Sequence, residues 1–314
     1  MESRNVTSVE FYILLGFSHV PYYRLPLISI FTLLYIFTLI GNSLIILLII
    51  GDYQLHTPMY FLLANFSVLD LVSPSISVPK MIDDLISMEG IISFNGCITQ
   101  MTFFIAITIT ECYFLSVMAF DRYVAICLPL HYKNIMSFKI CFILIWLAWL
   151  LGCFHSIIHT ILTISLDFCG PNHINHFYCD ILSLLQLACS PINLNVTLVC
   201  VSAFFNGICN CIIILSSYLG IVSAVLKINS KDGRMKAFCT CASHLLVVSL
   251  YYGTLIIAYF RPINSYTYSK DRTISVIYTT VTPMLNPIIY SLRNKSVKNA
   301  FQKLWKRAIY QTKI

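Results

Sequence analysis

Charge is scarce in this sequence. Asp, Glu, Lys and Arg make up 11% of its 314 residues, against about 25% in an ordinary soluble domain. With 58% hydrophobic residues and a mean hydropathy of +0.80, that scarcity excludes a water-soluble globule and points to an integral membrane protein. The net charge of +7 is no argument for nucleic acid, because the basic residues sit in short links between apolar runs, where they set topology. Also missing is any Cys-x-x-Cys pair among the 13 cysteines. Most of these lie inside apolar runs, where a free thiol is a small hydrophobe. There is no internal repeat and no series of charged residues to line a path, which disfavours a transporter or channel. No Ser, His or Asp sits in a recognisable nucleophile setting, so no enzyme reading survives. No cleavable leader is visible, and the first apolar span is expected to direct insertion itself.

What is present is a set of seven apolar runs, near 25–50, 59–79, 97–127, 140–161, 196–226, 237–260 and 273–292. The third organises the rest. From Cys97 to Asp121 it would cover roughly 36 Å as helix, enough to cross about 30 Å of hydrocarbon. The pattern predicts an all-α membrane protein, a seven-transmembrane helix bundle. Past it, Val297, Ala300, Phe301, Leu304 and Trp305 recur at helical spacing, which predicts a short amphipathic C-terminal helix on the membrane surface. The expected organisation is an extracellular tail over 1–25, the seven-helix bundle over 26–292 and a cytoplasmic tail over 293–314. Fourteen of the 20 basic residues fall on one side, which is read as cytoplasmic. That puts the N-terminus outside, together with the Asn5-Val6-Thr7 glycosylation sequon and Cys97, Cys169, Cys179 and Cys189, which can form disulfides where the compartment is oxidising.

Three motifs carry chemistry. Asp70, Glu111 and Asn286 lie deepest in apolar spans, where a charge is costly and is by default a functional candidate. Brought together, the two acids would hold a cation such as Na⁺, or take up protons and hydrogen-bond between helices. Asp121-Arg122-Tyr123 closes the third span; Arg122 would pair with Asp121, swing to other partners when the bundle opens, or anchor the helix at the headgroups. Asn286-Pro287-Ile288-Ile289-Tyr290 closes the seventh. Pro287 removes a backbone bond and kinks that helix, which suits an element that moves.

Taken together, these stretches resemble a rhodopsin-like (class A) G-protein-coupled receptor, and within that group a vertebrate odorant receptor. The likeness runs the length of the chain: Leu15-Gly16-Phe17, Gly41-Asn42, Leu55-His56-Thr57-Pro58-Met59-Tyr60-Phe61-Leu62, Met118-Ala119-Phe120 leading into Asp121-Arg122-Tyr123-Val124-Ala125-Ile126-Cys127, Lys236-Ala237-Phe238-Cys239-Thr240-Cys241-Ala242-Ser243-His244-Leu245, and Pro283-Met284-Leu285 leading into the Asn286-Pro287 motif. Cys239 stands where the family usually has Ser, and Asn65-Phe66 where it usually has Asn-Leu.

The resemblance implies a ligand site among the outer halves of four spans. Its residues would be Phe104, Ile105, Thr108 and Ile109, then Ser202 and Asn206, then Tyr252 and Tyr259, then Thr279. Such a wall, mostly apolar with a few hydroxyls and an amide, suits a small volatile ligand. Asp121, Arg122, Tyr123, Tyr218, Asn286, Pro287 and Tyr290 would serve activation and coupling to a stimulatory G protein that raises cAMP. The resemblance pairs Cys97 with Cys179 and Cys169 with Cys189; Cys97 with Cys189 is the rival pairing. His176-Phe177-Tyr178-Cys179-Asp180 matches a family stretch proposed to hold copper or zinc, which a disulfide at Cys179 would forbid. The expected partners are an odorant, the G protein and the bilayer. No cofactor is expected beyond Na⁺ at Asp70 and Glu111. The expected location is the plasma membrane of olfactory cilia. The alternatives are a class A receptor for another small ligand and, further off, a transporter. An amine receptor would want a carboxylate where Phe104 stands.

Overall fold

The computed structural model describes residues 9–17, 21–169, 171–259, 268–293 and 295–311. In chain order they form β1 (Phe11–Leu14), α1 (Arg24–Gly51), α2 (Pro58–Ser87), β2 (Ile91–Ser93), α3 (Phe94–Cys127), α4 (Phe138–Ile164), β3 (His173–Ile174), α5 (Asn193–Leu226), α6 (Lys231–Tyr259), α7 (268–293) and α8 (Lys295–Gln311). Helices α1 to α7 form the seven-helix bundle and α8 is the short amphipathic helix behind it. Five helices, α1 to α5, are long and apolar enough to cross a membrane. In α6 the apolar run Cys241–Ile257 follows basic first turns, and α7 opens with Ser269, Lys270, Asp271 and Arg272.

α3 is the central rod. Of its most apolar stretch 67% is buried, against 28% in α1 and α4 and 17% in α5. Leu115, Met118 and Ala119 of α3 pack with Leu62 and Phe66 of α2 and Ile214 of α5. The outer faces stay apolar: Ile40, Leu47, Trp146, Leu150, Leu215 and Leu219 are exposed, as side chains facing hydrocarbon can be. α4 lies close on α3 because Gly152 has no side chain. A Cβ there would run into Thr110 Oγ1 and sit 2.6 Å from the Ala106 carbonyl. The Thr102 and Thr160 hydroxyls, 2.7 Å apart, tie the same pair of helices.

Three local features depart from the sequence reading. α2 runs on through Pro74 and Pro79 to Ser87 instead of stopping at 79, and Lys80 pairs with Asp83 and Asp84 across the added turns. α5 contains a π-helical segment, Phe204–Cys209, and α7 another, Ile277–Val281. The stretch before α1 is no free tail throughout. β1 pairs antiparallel with β2 (Phe11↔Ser93) and parallel with β3 (Ile13↔His173). The cause is Tyr12, which is fully buried against Phe94 and Phe168. Asn5 lies outside the described residues.

This sheet caps one end of the bundle, where Cys97 is bonded to Cys179 and Cys169 to Cys189. Asp121 and Arg122 mark the other end. Cys179, just after β3, ties the long connection between α4 and α5 back onto Cys97 of α3, and the Cys169–Cys189 bond closes that connection on itself.

Candidate functional site

Below the cap is a cavity of about 120 Å³ between α3, α4, α5 and α6. Phe104, Ile105, Thr108 and Ile109 line it from α3, and Ser202 and Asn206 from α5. The first four fall on one helical face because they sit at i, i+1, i+4 and i+5. The π-helical segment of α5 begins just before Asn206. The sequence reading missed His159 of α4, Cys112 of α3, Ile181 of the connecting loop and Leu255 of α6, all on the same wall. Cys112 was one more turn along the α3 face and could have been found; His159 is on another helix, and only the packing of α4 beside α3 and α5 brings it to the wall. Its Nε2 is 2.9 Å from Ser202 Oγ.

Tyr252 and Thr279 are not on the wall. The Tyr252 hydroxyl donates to the Cys112 carbonyl at 3.2 Å, and Thr279 donates back to the Ser275 carbonyl of its own helix at 2.8 Å. The Tyr259 side chain lies outside the described residues. Tyr251 was not singled out in the sequence, yet its hydroxyl donates to the Thr108 carbonyl at 2.7 Å. Two adjacent tyrosines of α6 thus hold the backbone of α3 directly behind the cavity wall.

The cap over the cavity is a polar network. The Cys179 N–H donates to Gln100 Oε1 at 2.9 Å, and Gln100 Nε2 donates to the Ile76 carbonyl at 2.9 Å. The Tyr178 and Tyr278 hydroxyls are hydrogen-bonded, and the Phe104 ring lies 4.6 Å from that of Tyr178. His176 receives the Tyr178 N–H on Nδ1 at 3.4 Å, and its Nε2 is 3.0 Å from Ser275 Oγ. This fixes the neutral tautomer with the proton on Nε2. Burial, with Arg272 nearby, lowers the His176 pKa from 6.5 to about 3. Arg272 itself donates to the Gly16 carbonyl and so ties the segment after β1 to α7.

Deeper in the bundle the structure brings Asp70 and Asn286 together. The Asn286 amide donates to Oδ1 and Oδ2 of Asp70 at 2.9 and 3.0 Å. Glu111 is buried beside Ser73 and Tyr251 and close enough to Asp70 to interact with its charge. Asn286 Oδ1 has no hydrogen-bond partner among the described residues. Asn42 Nδ2 donates to the Pro283 carbonyl at 3.1 Å, one turn before Pro287. Pro287 meets α1 at Gly41, where an added Cβ would lie 3.1 Å from its ring.

At the far end Asp121 accepts from the Tyr132 hydroxyl at 2.8 Å. Arg122 is 7% exposed; it donates to Met59 Sδ and makes no ion pair among the described residues. Of the two partnerships the sequence allowed, the one with Asp121 is not formed. The Tyr218 hydroxyl of α5 lies 2.7 Å from His244 Nδ1 of α6, and Tyr290 is buried with its hydroxyl unpartnered among the described residues. Both tyrosines are near enough to Arg122 to feel its charge. Tyr123 packs its ring on Gly220 of α5, where no side chain would fit.

Among the described residues no three His, Cys, Asp or Glu side chains are grouped to hold a metal ion, and Cys179, in its disulfide, offers no thiolate.

A family model described as "Olfactory receptor" matches residues 31–307. The chain is 46% identical over 311 residues to olfactory receptor 1G1 of Gorilla gorilla gorilla, covering 99% of each. It is 46% identical over 304 residues to olfactory receptor 5AP2 of Mus musculus, covering 97% of this chain and 96% of the relative. To olfactory receptor 1A1 of Pan troglodytes it is 47% identical over 310 residues, covering 98% and 99%.

Proposed function

The chain belongs to the olfactory receptor family, and on that premise we propose that a small volatile ligand in the α3–α5 cavity drives coupling to a stimulatory G protein at the Arg122 end. It is an odorant receptor of the G-protein-coupled kind, a membrane protein and not an enzyme. We assign the capped end to the outside, with residues 1–25 and the Asn5 sequon, and residues 293–314 to the cytoplasm. The plasma membrane of olfactory cilia is the proposed location. Residues 26–292 form the receptor domain.

The observation that carries the mechanism is the pair of bonds from Tyr251 and Tyr252 to the α3 carbonyls of Thr108 and Cys112. A ligand that pulls α5 and α6 in around it binds one arrangement of these helices better than the other. It therefore shifts an existing equilibrium by that difference in affinity. α6 then pivots: its cavity half moves in, and its far half leaves Tyr218 and Arg122. The cleft so opened is flanked by Lys227, Lys231 and Arg234; the Lys236 side chain lies outside the described residues. The kink at Pro287 and the Tyr290 turn let α7 follow. Phe104, Ile105, Thr108, Ile109, Ser202 and Asn206 are the proposed ligand contacts; Tyr252 and Thr279 act from behind the wall. Ligand and G protein must each raise the other's affinity by the same factor.

Asp70, Glu111 and Asn286 fit a sodium ion. Two carboxylates and the unpartnered Asn286 Oδ1 are hard oxygen donors, and a bound Na⁺ would supply the charge that lets both acids ionise. The test of the whole reading is cAMP in cells expressing the receptor, screened with volatile ligands, against Arg122→Ala at matched surface expression. Loss of the response is expected; an undiminished response would remove Arg122 from the mechanism.

A further inference from the structure

The cavity wall has few polar atoms, and their existing bonds decide which ligand they can still take. Asn206 is 4% exposed. Its Nδ2 donates to the Ser202 carbonyl at 2.8 Å. That bond fixes which way round the amide sits, because the flipped form would set oxygen against oxygen. Oδ1 is left with no hydrogen-bond partner among the described residues. A buried acceptor without a donor is costly, and only a donor can relieve it. The Ser202 hydroxyl is engaged with His159. The Thr108 hydroxyl, on the facing helix of the same wall, has no hydrogen bond among the described residues and can both give and accept.

Among the described residues no Asp, Glu, Lys or Arg lines the cavity. An ammonium or carboxylate ligand would be buried without a counter-ion, which is prohibitive. An aldehyde, ketone, ester or ether can accept from Thr108 but leaves Asn206 Oδ1 as it was. A hydroxyl serves both sides at once. We propose that this receptor selects small neutral alcohols, the ligand O–H donating to Asn206 Oδ1 while its oxygen accepts from the Thr108 hydroxyl, with Phe104, Ile109, Val199 and Leu255 around the hydrocarbon body. The inference rests on reading this cavity as the odorant site and adds the chemical class.

The test is thermal unfolding of the purified full-length receptor in phosphatidylcholine nanodiscs. It is titrated with matched sets of straight-chain primary alcohol, aldehyde and methyl ether, of about four to nine carbons. Ligand that binds only the folded state raises the melting temperature by mass action. At the best chain length the alcohol is expected to bind at least about tenfold more tightly than either analogue, the discrimination a hydrogen-bonding site makes against a ligand lacking the donor. In Asn206→Leu the advantage should fall to about twofold or less, and Ala203→Trp, which fills the cavity, should abolish all three shifts. An aldehyde or ether that matches the alcohol would overturn the proposal. So would a set in which no alcohol shifts the wild type, or an alcohol shift that persists in Ala203→Trp. The wild-type comparison decides even where a variant does not fold. Alcohol selectivity without any cAMP response would leave this inference standing and refute the signalling function instead.

Discussion

Asn286 of α7 donates to both carboxylate oxygens of Asp70 of α2, 2.9 and 3.0 Å away, inside the apolar bundle. The pair closes α7 onto α2 at the turn that Pro287 weakens. Asn286→Ala leaves a buried carboxyl without its donor and should cost roughly 1–3 kcal/mol, read as a lower melting temperature of the purified receptor. Exchanging the two residues, Asp70→Asn with Asn286→Asp, restores a donor and an acceptor. The double variant should be more stable than the sum of its single changes. Additive losses would show that the two groups do not act as a pair.

Gly152 sets the distance between α3 and α4. Gly152→Ala places a methyl against Thr110 and the Ala106 carbonyl. Forcing atoms into such a contact costs about 1–3 kcal/mol. Because α4 carries His159 into the cavity wall opposite the α3 residues, moving α4 off α3 should weaken ligand binding as well. Melting and ligand titration of the same preparation check both; an unchanged melting temperature would mean the crossing is not tight.

His176 makes the cap sensitive to acid. Its folded pKa is about 3 against an ordinary 6.5, because it is buried and Arg272 is near. Unfolding therefore takes up a proton at any pH between these values. The contribution is fully present above about 6.5 and is lost as pH falls toward 3, by up to about 1.4 kcal/mol for each pH unit. Protonation would also turn Nδ1 from the acceptor of the Tyr178 N–H into a competing donor. The melting temperature should fall from pH 6.5 to 4.5, and less steeply in His176→Gln. Equal slopes would place the acid sensitivity elsewhere.

Tyr251→Phe and Tyr252→Phe remove only the hydroxyls that hold the α3 carbonyls. Neither hydroxyl is on the cavity wall, so ligand affinity measured by thermal shift should stay within about threefold. The maximal cAMP response should drop, most in the double variant. A loss of affinity with full response at saturation would make these tyrosines ligand contacts instead of a linkage.

The bundle was legible because its signal is long and periodic: apolar runs of membrane length, charges in the links, and Asp121-Arg122-Tyr123 and Asn286-Pro287 at span ends. Phe104, Ile105, Thr108 and Ile109 came from the family resemblance, and the structure sets them on one helical face against a cavity. What the sequence hid depends on tertiary approach. His159 joins the wall from a separate helix, α4, and Tyr12 makes a strand of an expected tail because it is buried against Phe94 and Phe168. The continuation of α2 past Pro79 is a different case: Lys80 pairs with Asp83 and Asp84 three and four residues on, a local helical spacing that the sequence did carry. The π-helical segment of α5 has no residue pattern to announce it. Tyr252 and Thr279 were placed by analogy at the right depth, but their hydroxyls turn to backbone carbonyls.

The most direct measurement is guanine-nucleotide exchange on a purified stimulatory G protein, with nanodisc receptor and a ligand whose binding the thermal shift has already established. Saturating ligand should speed exchange in the wild type and not in Arg122→Ala, and the G protein should tighten ligand binding by the same factor by which ligand tightens the G protein. A ligand that is demonstrably bound in the cavity, yet changes neither exchange rate nor G-protein affinity, would contradict the account.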